Sequence, residues 1–221
     1  CIRDRLNTEP THNVNIPIVS GNTSKAVVDD NSLRFKPNNW SVAQTVTVTG
    51  INNDIDDDDA LVTIALGSAS SSDSTYNNLN VDSVEVTVTN DDIAGIEISP
   101  TVGLETSEFG GSDTFTIVLT SEPLNNVSLG LESSDTTEGS LSSTNLVFTA
   151  SNWDSPKTVT ITGQDDDIDD GNKSYSIITA EASSADSLYQ INPDDVFVNN
   201  IDNDTAGVTL SQVSGLSTSE G

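Results

Sequence analysis

Leu146-Val147-Phe148-Thr149-Ala150-Ser151-Asn152-Trp153, followed after three residues by Lys157-Thr158-Val159-Thr160-Ile161-Thr162-Gly163, has a close counterpart earlier in this chain. The first occurrence is Leu33-Arg34-Phe35-Lys36-Pro37-Asn38-Asn39-Trp40 with Gln44-Thr45-Val46-Thr47-Val48-Thr49-Gly50, at an offset of 148 − 35 = 113 residues. Thr8-Glu9-Pro10 against Ser121-Glu122-Pro123, and Asp73-Ser74-Thr75-Tyr76 against Asp186-Ser187-Leu188-Tyr189, keep that offset. After one deletion Asn90-Asp91-Asp92-Ile93-Ala94-Gly95 aligns with Asp202-Asn203-Asp204-Thr205-Ala206-Gly207. One domain type therefore recurs in tandem. The boundaries read as a domain over 1–92, a second over 93–204, and a further partial copy over 205–221.

Within one period the apolar residues alternate with polar ones. Strands are predicted over 96–98, 114–119, 127–131, 143–148, 158–162, 175–179 and 196–198, separated by Gly, Pro, Asn, Asp and Ser clusters. Seven short strands in about a hundred residues is the pattern of an immunoglobulin-like sandwich. Trp40 and Trp153 stand at one repeat position after an alternating strand, and read as core plugs rather than binding aromatics.

Each repeat also carries an acidic loop. In the second it is Gly163-Gln164-Asp165-Asp166-Asp167-Ile168-Asp169-Asp170-Gly171, with five carboxylates in six residues. Such a run repels itself unless a cation sits among the oxygens. One isolated run is most simply a solvated turn, but recurrence at the same place favours an ion site. Calcium suits a loop rich in carboxylates and free carbonyls, whereas zinc calls for His and Cys side chains. The chain has a single histidine, His12, and a single cysteine, Cys1.

Composition narrows the function classes. Seven basic residues against 35 acidic ones leave a net charge of −28, which repels nucleic acid and anionic membrane surfaces alike. No apolar run approaches the length of a membrane span. Wealth in Asp, Asn, Ser and Thr with little Lys leans towards export into a calcium-rich medium. Nucleophilic catalysis lacks a base, since His12 follows Pro10 in a turn, and the massed carboxylates with 5% aromatics do not suit glycoside hydrolysis. The expectation is a protein that is not an enzyme. Cys1 reads either as a lipid attachment point or as an arbitrary beginning.

Taken together, the Thr106-Ser107-Glu108 step before Gly110-Gly111, the Thr-Ser-Glu-Pro turn, Ser133-Ser134-Asp135, the Asp165 loop and the closing Asp-Asn-Asp resemble the Calx-beta domain. The likeness is strongest to the repeat arrays of bacterial surface adhesins. It implies an all-β fold of tandem immunoglobulin-like, Calx-beta-like Greek-key β-sandwiches. It also implies a Ca2+ cluster held in the second domain by Glu108, Asp135, Asp165, Asp166, Asp167, Asp169, Asp170, Asp202 and Asp204. In the first domain the matching positions are Asp54, Asp56, Asp57, Asp58, Asp59, Asp91 and Asp92. Asn22, Asn52 and Asn53 stand where the second domain has Asp135, Asp165 and Asp166, so the first site carries less charge.

Position 1 aligns with position 114, so the first domain lacks a first strand, and 205–221 repeats the first strand of the second domain. Glu220 aligns with Glu108. These readings lead to an extracellular, bacterial structural protein whose calcium-stiffened repeats join head to tail with copies of themselves or with further repeats, donor-strand complementation being one route. The alternatives are a carbohydrate- or protein-binding adhesion module, a piece of a longer covalent array, and a calcium sensor.

Overall fold

A computed structural model describes residues 2–221, and Cys1 lies outside the described residues. The chain divides into two compact units, Cys1–Asp92 and Ile93–Gly221. No helix among the described residues is long and apolar enough to cross a membrane.

The first unit contains β1 (Ile2–Asp4), β2 (Val14–Ser20), β3 (Ala26–Val28), β4 (Ser32–Phe35), β5 (Gln44–Val46), β6 (Val48–Gly50), β7 (Ala60–Leu66), β8 (Ser70–Ser71) and β9 (Val84–Val88). Its main sheet runs β4-β2-β7-β9 with β8 added to β2, while β1 pairs with β5 and β3 with β6. Strict alternation explains the layering. Along β2, Val14, Ile16 and Ile18 point inward and are buried, and β7 does the same with Val62, Ile64 and Leu66. Phe35 and Val46 close the core from β4 and β5.

The second unit repeats this plan with two additions. It comprises β10 (Ile96–Ser99), β11 (Leu104–Ser107), β12 (Ser112–Leu119), β13 (Val127–Ser133), β14 (Gly139–Leu141), β15 (Asn145–Phe148), β16 (Lys157–Gly163), β17 (Lys173–Thr179) and β18 (Val196–Ile201). One sheet is ordered β10-β12-β16-β14 and the other β11-β18-β17-β13-β15. Their inward residues, among them Phe115, Ile117, Leu129, Phe148, Ile161 and Ile177, share one core between the sheets. Pairing is antiparallel except for β11 on β18, where Leu104 faces Val198 and Ser107 faces Ile201 in parallel register.

All seven expected strands of this unit form. Two further strands, β11 and β14, were not expected, because each carries a single apolar side chain, Leu104 or Leu141, and one such residue displays no alternation. The aromatic plugs also differ from the expected ones. Trp40 and Trp153 are half-buried and pack at the margin of their cores, whereas Phe35, Phe115, Phe148 and Tyr189 are fully buried. Tyr189 is held by its hydroxyl against Ser121, and Tyr76 reaches the Thr8 carbonyl at 2.7 Å in the same manner.

The repeats part company at one edge. Among the described residues, β10 and β11, the first two strands of the second unit, have no counterpart in the first. Among the described residues β9 consequently pairs on one side only, with β7. Residues 205–221 form no strand, and their side chains are exposed.

Candidate metal centre

Because β11 runs parallel to β18, both strands deliver their following residues to the same place, where β16 also ends. Glu108 follows β11, Asp202 and Asp204 follow β18, and the loop from Gln164 to Asn172 leaves β16. One carboxylate oxygen from each of Glu108, Asp202 and Asp204 lies within 4.8 Å of the others. Among the described residues no other trio of acidic, His or Cys side chains closes to that distance.

Backbone donors organise part of this cluster. Glu108, 4% exposed, accepts from the Asn203 amide at 2.9 Å. Asp202 accepts from the amides of Asp204 and Gly171, each at 2.7 Å, and these hold its carboxyl below the ordinary range. The other two are less well provided for. At Glu108 the Asn203 amide pulls the carboxyl down, but burial and the charges of Asp202, Asp166 and Asp204 outweigh it and leave it raised. Asp204 is raised by burial and then by Asp167, Asp202, Asp165 and Asp166. Its Oδ2 is buried with no hydrogen-bond partner. A buried, unpartnered carboxylate oxygen beside two further carboxylates suits a hard divalent cation, which prefers oxygen donors and removes the repulsion.

The remaining expected ligands are placed as follows. Asp165, Asp166 and Asp167 face Asp204 closely enough to act on its charge, and Asp165 also accepts from the Asn203 side chain at 3.2 Å. Asp166 caps its own loop through the Ile168 amide at 2.7 Å. Asp169 accepts from the Ala206 amide at 2.7 Å, and Asp170 pairs with Lys173 at 3.0 Å. Asp135 turns back on its own chain to accept from the Thr137 amide and hydroxyl, at 3.0 and 2.6 Å. Asn22 caps Ser24 in the same way, which explains why amide and carboxylate interchange at that position. Glu220 lies in the exposed segment and joins none of these groups.

The sequence reading passed over Glu138. It is 8% exposed, and its Oε2 accepts from Asn200 Nδ2 at 3.2 Å. Asn200 in turn accepts from Thr106 Oγ1 at 2.9 Å, so a buried polar chain ties β11 and β18 to the acidic end. Glu138 sits alone in Thr-Glu-Gly, outside any acidic run, so only the pairing of β14 with β16 brings it here.

In the first unit the same place is built differently. Lys25 aligns with Glu138 by 138 − 25 = 113, and its ammonium pairs with Asp57. That contact holds the Asp57 carboxyl down. Asn90 replaces Asp202, donating from its backbone amide to Asp59 Oδ1 at 2.9 Å and from its side-chain Nδ2 to Asp56 Oδ1 at 3.2 Å. Asp92, the counterpart of Asp204, is raised by burial and by Asp91, Asp54, Asp56 and Asp57. Asp54, Asp56 and Asp57 thus converge on Asp92, as Asp165, Asp166 and Asp167 do on Asp204, but with a lysine already among them. Asp58 lines the neighbouring groove beside Asp57 and Asp91.

No family model matches the chain, and no curated protein does. Among solved structures, the apo form of the Calx CBD1 domain aligns with 51% of this chain and 100% of its own, at 18% identity and a TM-score of 0.40. The calcium-binding domain CBD12 of CALX1.1 covers 90% of this chain and 91% of its own, at 15% identity and a TM-score of 0.45. Domains 4 and 5 of the S-layer protein SbsC cover 84% of this chain and 76% of theirs, at 16% identity and a TM-score of 0.38.

Proposed function

We propose that this chain is a pair of calcium-stabilised β-sandwich repeats from an extracellular structural protein, serving as a spacer in a head-to-tail filament or adhesin stalk. The observation that carries the reading is the buried, unpartnered Oδ2 of Asp204, standing with Glu108 and Asp202 where β11, β16 and β18 end. Glu108, Asp202 and Asp204 would hold the ion, with Asp165, Asp166 and Asp167 completing the acidic surroundings. The ion would supply positive charge to a site that is otherwise self-repelling. Its structural effect follows from where the ligands come from: Glu108 follows β11, an edge strand near the start of the unit, and Asp202 and Asp204 follow β18, its last strand. Binding therefore ties the beginning of the sandwich to its end.

The experiment is thermal unfolding of the chain with calcium and with chelator. A cation that binds only the folded arrangement stabilises it by about 2.7 kcal/mol at a hundredfold excess over its dissociation constant. The midpoint should rise with calcium, and Glu108→Gln should abolish most of the rise. Superimposed melting curves for the chain with and without calcium would overturn the metal reading.

A further inference from the structure

Both units direct a lysine to the same carboxylate of the acidic loop, and they do so from different positions. Asp57 and Asp170 are one repeat position, by 170 − 57 = 113. Asp57 is paired by Lys25, which immediately precedes β3, and Asp170 by Lys173, the first residue of β17, at 3.0 Å. Neither lysine is repeated: Lys25 has Glu138 as its counterpart, and Lys173 has Ala60, by 173 − 60 = 113.

The backbone makes these positions structural equivalents as well. The amides of Lys25 and Glu138 donate to the carbonyls of Asn22 and Asp135 at 3.2 and 3.3 Å, and their own carbonyls accept from the amides of Ile51 and Gln164 at 2.8 and 3.0 Å. Ala60 and Lys173 each open their strand, opposite Val88 of β9 and Asn200 of β18. An ammonium thus reaches one carboxylate by either of two routes. With seven basic residues against 35 acidic ones, abundance of lysine does not explain the coincidence. In the first unit the side chains of Lys25 and Asp57 are 23% and 36% exposed, so the pair is partly withdrawn from water. In the second, Asp170 favours the charged form of Lys173, and the charges of Glu138 and Asp166 add to it. Lys173 in turn helps to hold down Asp135, after the Thr137 hydroxyl and amide. The ammonium therefore serves carboxylates other than Glu108, Asp202 and Asp204. A tethered ammonium is a compact charge in a fixed place, and a divalent cation arriving at the same carboxylate has to displace it and then bear its repulsion.

We propose that the position of Asp57 and Asp170 is a built-in ammonium site, filled by Lys25 in the first unit and by Lys173 in the second, which neutralises that part of each acidic end permanently and closes it to metal ions. Of the ligands expected in the second unit, Asp170 then belongs to the lysine, and the cation is left to Glu108, Asp202 and Asp204. The ammonium site stands without any metal, whereas its closure to metal rests on the calcium reading above.

The test moves the lysine. In the full chain, Lys25→Ala alone, Lys25→Ala with Ala60→Lys, and Lys25→Ala with Ala60→Gln are compared by thermal unfolding in chelator and in calcium. Lys25→Ala is expected to lower the midpoint in chelator. Adding Ala60→Lys, which copies the arrangement of the second unit, is expected to recover at least half of that loss, and Ala60→Gln, a long polar side chain without charge, to recover little. Calcium is expected to raise the midpoint of Lys25→Ala more than that of the unsubstituted chain or of the relocated lysine. Lys173→Ala makes the same comparison in the second unit, with a lower midpoint in chelator and a larger rise in calcium. An unchanged midpoint in chelator for either Lys25→Ala or Lys173→Ala overturns the proposal, as does Ala60→Lys recovering no more than Ala60→Gln. An equal rise with calcium in every variant overturns the closure to metal. Rescue by the relocated lysine in chelator, with calcium moving no variant, sinks the metal reading and leaves the ammonium site standing.

Discussion

Single residues decide how much negative charge each acidic end leaves uncompensated. Lys25 and Glu138 occupy one repeat position with opposite charge, and Lys25 already neutralises Asp57. Replacing Lys25 by Gln should therefore tighten calcium binding to the first unit severalfold in titration calorimetry, because the lysine no longer competes with the ion for Asp57. A weaker class of sites that does not change would assign Lys25 no part in it. Other carboxylates are structural in a different sense. Asp73 is 7% exposed and accepts from the amides of Thr11 and Thr75 at 2.7 and 2.9 Å, which hold its carboxyl at about 2 against an ordinary 3.8. A carboxyl depressed in the folded state stabilises it above its unfolded value, and that contribution is lost as pH falls through the folded value. Asp73→Asn should lower the unfolding midpoint at pH 7, and the gap from the parent chain should close as pH falls from about 4 towards 2. A gap that stays constant over that range would exclude the ionised carboxylate as its source.

At the scale of elements, β11 is the strand on which the second unit depends. It is only four residues long, yet it covers the edge of β18, buries Leu104 and Thr106, and leads directly to Glu108. Its close passage over Gly163 makes that glycine the sensitive point. Gly163→Ala should destabilise the second unit by about 1 to 3 kcal/mol, since both the β11 backbone at Ser107 and the Asn200 side chain have to move. Gly50→Ala, at the same place in the first unit, should cost about 0.5 kcal/mol or less in a monomer, because nothing but a Val88 methyl lies near. Equal losses at the two positions, measured by chemical unfolding, would show that β11 does not press on Gly163. The divided pairing of the first unit, β1 on β5 and β3 on β6, contrasts with the continuous β12-β16-β14 ladder of the second. At the break, the Asp29 side chain accepts from the Thr47 amide at 2.7 Å in place of a ladder bond.

Across the whole molecule, the net charge of −28 must be held by two thin cores, so self-repulsion is a general burden on the folded chain. Raising salt from about 0.01 M to 0.15 M shortens the screening length from roughly 30 to 8 Å. The metal-free chain should gain stability over that interval, and the calcium-loaded chain should gain less; melting midpoints that do not respond to salt in chelator would argue that the charges are too dispersed to matter. Legible in the sequence were the repeat, the all-β class, the seven expected strands of the second unit and the acidic character of both loops. These are local properties, readable from alternation, turn residues and a fixed offset. Trp40 and Trp153 were legible as apolar, but their place at the core margin was not, because burial depends on what the opposite sheet supplies. The tertiary structure alone decided which carboxylates meet. Asp135 and Asp166 spend oxygens on their own turns, and Glu138, isolated in sequence, is carried to the acidic end by the pairing of β14 with β16. Glu108 reaches Asp202 and Asp204 only because β11 lies parallel to β18. A cation site is a set of distances between residues nearly a hundred positions apart, and strand pairing, which is a long-range choice, sets those distances.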